Sequence, residues 1–283
     1  MDNLIEGRQL QKRFGSKVVL DGVDLSIGRG QIVGLVGING AGKSTLLNAI
    51  LGLLPVSGEL SVLGQNPMRH RAHLLERVAY ISDVASLPRW AKVNQLLDYM
   101  AGVHPRFDRQ RCQALLAKTQ IPPKARVSSL SKGMVTQLHL SLIMAIDAEL
   151  LVLDEPTLGL DVVYRKGFYQ QLLNDFFDHQ RTLLITTHQV EEIEHMLTRV
   201  LFLHGGKLVL DCDIDAVAGH YTDLLVDRDK LEQARALGPL SERTTLAGQI
   251  LTFEQSPEQL RQLGQCQTPS LADVFVAKVG RAA

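Results

Sequence analysis

The 283-residue chain carries 30 basic and 30 acidic side chains, so it has no net charge, and 45% of its residues are hydrophobic. That apolar content supports a sizeable core without cross-links, while the balanced charge lacks the general attraction for nucleic acid, so no nucleic-acid partner is expected. Three scattered cysteines, Cys112, Cys212 and Cys266, fit reduced thiols packed as small hydrophobes better than a disulfide framework or a zinc site.

The first eight residues are polar and mixed in charge, without the apolar run of a secretory leader. The longest apolar stretch, residues 138–153, is broken by His139, Asp147 and Glu149, so no segment is expected to span a bilayer. Alternation over Leu20–Ile27 predicts a half-buried antiparallel strand, and the continuous apolar run Gln31–Val36 a fully buried one. A glycine-rich loop follows, then a helix over Ser44–Leu51. Residues 85–148 turn helical in period. Apolar runs at Leu150–Leu153 and Thr182–Thr186, separated by a helical segment Val162–His179, form a βαβ pattern of a parallel sheet. Short strands are expected at Val200–Leu203 and Lys207–Leu210. After about His220 the composition shifts to a small α+β appendage, with a strand at Gln249–Phe253 and a last helix over Ser270–Val279.

Gly37-Ile38-Asn39-Gly40-Ala41-Gly42-Lys43-Ser44 fits G-x-x-x-x-G-K-[ST], a loop whose backbone N–H groups wrap the phosphates of a nucleotide. Glycines let successive amides turn inward and let the main chain approach the anion. Lys43 is expected on the β- and γ-phosphates and the Ser44 hydroxyl on Mg²⁺, with the next helix pointing its N-terminus at the same charge. The nucleotide-binding set is thus Gly37, Asn39, Gly40, Ala41, Gly42, Lys43, Ser44 and Thr45. Leu150–Leu153 ends in Asp154 and Glu155, two carboxylates at a strand end where α/β sheets place ligand chemistry. Asp154 is expected to hold Mg²⁺ and Glu155 to deprotonate the attacking water. His188 follows another strand of the same sheet and is placed to meet the γ-phosphate or that water. The bland alternatives are a flexible turn, two solvated acids and a structural histidine.

In this order the elements resemble the ATP-binding subunits of ABC transporters, from about Leu10 to Leu210. The resemblance implies a P-loop NTPase core of α/β class with an antiparallel β subdomain and a helical subdomain (about 85–148). The ATP-binding domain would occupy residues 1–219 and a C-terminal accessory domain residues 220–283. It makes Phe14 the adenine-stacking aromatic, His188 the switch histidine and Asp161 part of a loop linking two ATP sites. Leu130-Ser131-Lys132-Gly133-Met134 stands at the signature, commonly LSGGQ, so Ser131 and Gly133 would contact ATP held by a partner subunit. Asp83 stands where the family usually has a glutamine; it can bind the metal but lacks the amide donor, and a plain loop acid is the alternative. The implied cofactors are ATP and Mg²⁺. The implied partners are integral membrane subunits and a second copy or homologous ATPase, with the chain peripheral on the cytoplasmic face of the membrane. The tail Pro269–Phe275 is similar to the ends of exporter-like ATPase subunits, and its physical expectation is an amphipathic helix packing Leu271, Val274 and Phe275 on the appendage. Trp90 is expected either in the core or against a membrane subunit. The rival readings are a non-transport ATPase of the same superfamily, which the absence of C-x-x-C and sustained heptads disfavours, and a nucleotide-binding regulator, which the intact Glu155 disfavours.

Overall fold

The computed structural model describes residues 3–82, 87–158, 162–178 and 180–282. Two long strands, β1 (Asn3–Phe14) and β2 (Lys17–Gly28), lead into β3 (Ile32–Val36) and helix α1 (Lys43–Ile50). Next come β4 (Ser57–Val62), α2 (Arg71–Leu75) and β5 (Val78–Ile81), then helices α3 (Val93–Val103), α4 (Arg109–Ala117) and α5 (Lys132–Met144). The chain returns to sheet through β6 (Leu150–Asp154), α6 (Val162–Asp175), β7 (Thr182–Thr187), β8 (Arg199–His204) and β9 (Lys207–Asp213). It ends with α7 (Ile214–His220), β10 (Thr222–Val226), α8 (Leu231–Arg235), β11 (Ser241–Thr245), β12 (Gly248–Phe253), β13 (Gly264–Gln267) and α9 (Leu271–Ala282).

The central sheet has the order β5-β6-β7-β3-β8-β9. Its first five strands are parallel, and β9 runs antiparallel to β8. β3, β6 and β7 are buried at every position, which explains their largely apolar make-up, with Gly34, Asp154 and the threonines of β7 as the exceptions. Because β6, β7 and β3 are neighbours pointing the same way, the Gly37–Ser44 loop, Asp154 and His188 all emerge at one edge of the sheet. Helix α1 packs Leu46, Leu47 and Ile50 between one face of this sheet and the antiparallel sheet β2-β1-β4. The opposite face is covered by Met144 of α5 and by Phe168, Leu172 and Phe176 in and beside α6. Leu96, Leu97, Cys112, Leu116, Leu138 and Leu142 close a separate core within the helical segment.

Strand β1 did not follow from the sequence pattern, for a geometric reason. Leu4 and Ile5 are both buried, Gln9 takes φ +50°, and the register against β2 slips at several points. Gln9 is held there by Asp24, which accepts from its backbone N–H at 2.7 Å and its side-chain amide at 2.8 Å. Bulges of this kind erase the period-2 alternation on which recognition depends. Helix α6 ends at Asp175, short of the expected His179.

The C-terminal segment forms the antiparallel sheet β11-β12-β10-β13 around Leu224, Leu251, Phe253 and Leu260. Its fully buried Asp223 accepts from Thr252 Oγ1 at 2.7 Å and from Arg243 at 2.6 Å, so the charge is paired. Helix α9 lies against β11 and β12 as expected, and its apolar face also reaches beyond the C-terminal sheet. Leu271 and Val274 join the central-sheet core, and Phe275 meets Phe202 of β8 edge to face at 5.1 Å between ring centroids. The spacing of apolar residues fixed the buried face of this helix, and says nothing about which neighbour covers it. Trp90 is 75% exposed, which removes the core-packing alternative. Cys112 is buried, and burial pushes its thiol up to about 12, whereas Cys212 and Cys266 are only half-buried. Asp83 and Asp161 lie outside the described residues.

Candidate active site

In the loop between β3 and α1, Gly37 and Gly42 leave no room for a side chain, and Gly40 takes φ +83°. A Cβ on Gly37 would stand 2.5 Å from the carbonyl oxygen of Leu203. Gly42, immediately before α1, takes φ +110°, and a Cβ there would meet the Val19 carbonyl at 2.8 Å. The turn is closed by the Ala41 N–H donating to the Ile38 carbonyl at 3.1 Å. Lys43, the first residue of α1, is buried to 6% exposure, and its Nζ donates to the Gly37 carbonyl at 2.7 Å. An ammonium has three protons, so this contact orients the head and leaves donors for an anion at the loop.

Asp154 closes β6, and Glu155 turns out of the strand with φ +48°. For a non-glycine residue that conformation costs about 1–3 kcal/mol and persists only where surrounding contacts impose it. Glu155 Oε2 lies 2.8 Å from His188 Nδ1, just beyond β7. An ionised carboxylate only accepts, so Nδ1 carries the proton and Nε2 is left for another partner. Glu155 Oε1 is buried and, among the described residues, accepts no hydrogen bond; Lys43 Nζ stands 3.3 Å from it. An ionisable oxygen in that position is available to a water proton.

These groups surround one cavity of about 520 Å³. Asn39, Gly40, Gly42, Lys43, Ser44, Thr45, Asp154, Glu155 and His188 line it, with Phe14 half exposed at the rim. Lys12 Nζ sits 5.2 Å from the centroid of the Phe14 ring. Lys17 and Val19 of β2 also line the cavity. No motif marks them; they arrive because the β1–β2 turn folds over the loop.

Ser131 and Gly133 are not brought to this cavity. Ser131 is the N-cap of α5, its hydroxyl accepting from the Met134 N–H at 3.2 Å. Gly133 is packed by Tyr164 of α6, whose ring would stand 2.8 Å from an added Cβ. The Leu130–Met134 segment thus sits at a helix N-terminus, built by a cap and a ring contact, apart from the Gly37–Ser44 loop of its own chain.

Comparison with known proteins supplies the family. A family model described as ABC transporter matches residues 20–158. Nod factor export ATP-binding protein I from Sinorhizobium fredii is 32% identical, over 99% of this chain and 87% of its own. The ABC transporter ATP-binding protein YtrB of Bacillus subtilis is 31% identical, over 77% of this chain and 75% of its own. Among solved structures, an ATP-binding subunit of an ABC transporter superposes with a TM-score of 0.69 at 24% identity, over 76% of this chain and 91% of that one. CbiO1 from Clostridium perfringens superposes at 0.65 with 22% identity, over 77% and 91% of the two chains. At these identities the structural likeness speaks for the fold alone, while the full-length sequence relatives carry the assignment. The chain belongs to the ABC transporter ATP-binding family, as an ATP-binding subunit that hydrolyses ATP to drive transport.

Proposed function

We propose that this chain powers an export-type transporter by clasping ATP between two copies of itself, or between itself and a homologous ATPase, beneath separate integral membrane subunits on the cytoplasmic face. The observation that carries this reading is the division of the chemistry: Lys43, Ser44, Asp154, Glu155 and His188 surround one cavity, while Ser131 and Gly133 face elsewhere. A second chain is what would bring that signature to the phosphate. Phe14 at the rim would stack on adenine, and the loop from Gly37 to Thr45 would hold the phosphates. Relatives named for Nod factor export support the direction.

The donor set suits Mg²⁺: Ser44 and Asp154 offer hard oxygen ligands to the same cavity, leaving room for phosphate oxygens and water. When bound, the ion would draw negative charge from the β- and γ-phosphates. Lys43 would add a fixed positive charge from beneath, and Glu155 Oε1 would take the proton of the attacking water. His188 occupies Glu155 Oε2, so the proton would go to Oε1, which has Lys43 Nζ beside it at 3.3 Å. With Nδ1 engaged, the neutral ring presents Nε2 as an acceptor, and the doubly protonated ring presents it as a donor to the γ-phosphate. Asp161, in the proposal, passes the state of one site to the other, and Asp83 is a metal contact toward the membrane partners.

Glu155→Gln removes the base while retaining shape, so it should bind ATP and accumulate as the closed dimer. Size-exclusion chromatography with and without ATP reads this directly. A variant that stays monomeric at saturating ATP, both alone and with its membrane subunits, would sink the two-copy arrangement. Co-purification from detergent-solubilised membranes should bring down an integral membrane partner.

A further inference from the structure

Asp154 and Thr186 are Cα partners in the parallel register of β6 and β7. Thr186 is fully buried, at 0% exposure. Its hydroxyl donates to Asp154 Oδ1 at 2.6 Å and accepts from the Glu155 N–H at 3.1 Å. The same N–H lies 3.2 Å from the Thr186 carbonyl oxygen. A hydroxyl has one proton to give, and here it goes to one named oxygen of one carboxylate. Its acceptor side holds the amide of the residue whose backbone is left-handed.

β7 carries further threonines, and they make a useful contrast. The Thr182 hydroxyl bonds backbone at the far end of the sheet, accepting from the Gly30 N–H at 3.0 Å and donating to the Gly28 carbonyl at the end of β2 at 3.2 Å. Thr187 accepts from the Gln189 N–H at 2.9 Å, shaping the turn after His188. Thr186 is the one whose hydroxyl joins both acids.

We propose that Thr186 is a positioning residue for ATP hydrolysis, its hydroxyl fixing the rotation of Asp154 and pinning the turned backbone of Glu155 so that metal ligand and base keep one relative placement. This rests on reading Asp154 as the Mg²⁺ ligand and Glu155 as the base. Outer-shell hydrogen bonds to a ligating carboxylate orient it, and their loss typically costs about 10–100-fold in metal affinity or activity.

The test uses the full chain as wild type, Thr186→Val, Thr186→Ser and Asp154→Asn. Mn²⁺ stands in for Mg²⁺, with binding in the presence of ATP read by electron paramagnetic resonance and ATPase rates measured in parallel. Thr186→Val should melt as a folded protein, bind Mn²⁺ and turn over about 10–100-fold less well, and keep the wild-type KM for ATP. Thr186→Ser, which restores the hydroxyl, should recover both to within about threefold. A folded Thr186→Val with Mn²⁺ affinity and kcat within twofold of wild type overturns the proposal, as does a Thr186→Ser no better than the valine. If the valine variant does not fold, Thr186→Ala is judged by the same criterion. Asp154→Asn binding Mn²⁺ like wild type overturns the underlying assignment of Asp154 and the proposal with it. Asp154→Asn losing the ion while folded Thr186→Val keeps it overturns the role of Thr186 alone.

Discussion

Glu149, one residue before β6, anchors the end of the sheet remote from the cavity. Arg77 grips it with two bonds at 2.5 and 2.9 Å, and Arg29 adds a third at 2.8 Å. These guanidinium hydrogen bonds outweigh partial burial and hold the carboxyl at about 2, against an ordinary 4.5. Folding therefore favours the ionised form; the stabilisation is complete above about pH 4.5 and is lost as pH falls toward 2. With the discount for solvent screening, Glu149→Gln should cost about 1–2 kcal/mol at pH 7. Urea melts at pH 7 and pH 3 should show the gap between variant and wild type narrowing at the lower pH, and a gap that widens would contradict the assignment. Residues of this kind were not legible in the sequence, where Glu149 figured only as a break in an apolar run. Lys43, Ser44, Asp154 and Glu155 were legible as candidates, because their spacing is local, and the structure brings them to one cavity. Thr186 sits 32 residues from Asp154 and meets it only through strand register, which one sequence does not display.

At the scale of elements, β3, β6 and β7 were legible because full burial on both faces writes a mostly apolar run without alternation. β1 was not, since its bulges scramble alternation, and β11 and β13 carry few apolar residues on exposed or half-exposed backbone. Helix α9 was legible as a helix and only in part as a contact, since it also reaches the central core. Its first N–H donates to the Glu194 carboxylate at 3.3 Å, and Leu271 and Val274 lie among Ile193, Val217 and Phe202. Leu271 is 1% exposed, so Leu271→Ala should destabilise the whole protein by about 2–5 kcal/mol rather than loosen only the C-terminal sheet. Chemical denaturation followed by far-ultraviolet dichroism checks this. A cost under about 0.5 kcal/mol, the range of ordinary surface changes, would show that the helix does not complete the central core.

The whole molecule places its candidate site where three adjacent parallel strands end, and the Leu130–Met134 segment on a separate helical layer with a core of its own. Among the described residues no helix is long and apolar enough to cross a membrane. Trp90, the chain's lone tryptophan, lies at the start of that helical layer with most of its surface in water. Its light emission is therefore a native gauge of contact, needing no added dye. In the isolated protein it should be red-shifted and readily quenched by acrylamide, and anything that settles over this patch should shield it. Emission that is already protected in the free chain would mean the indole is covered by the protein itself.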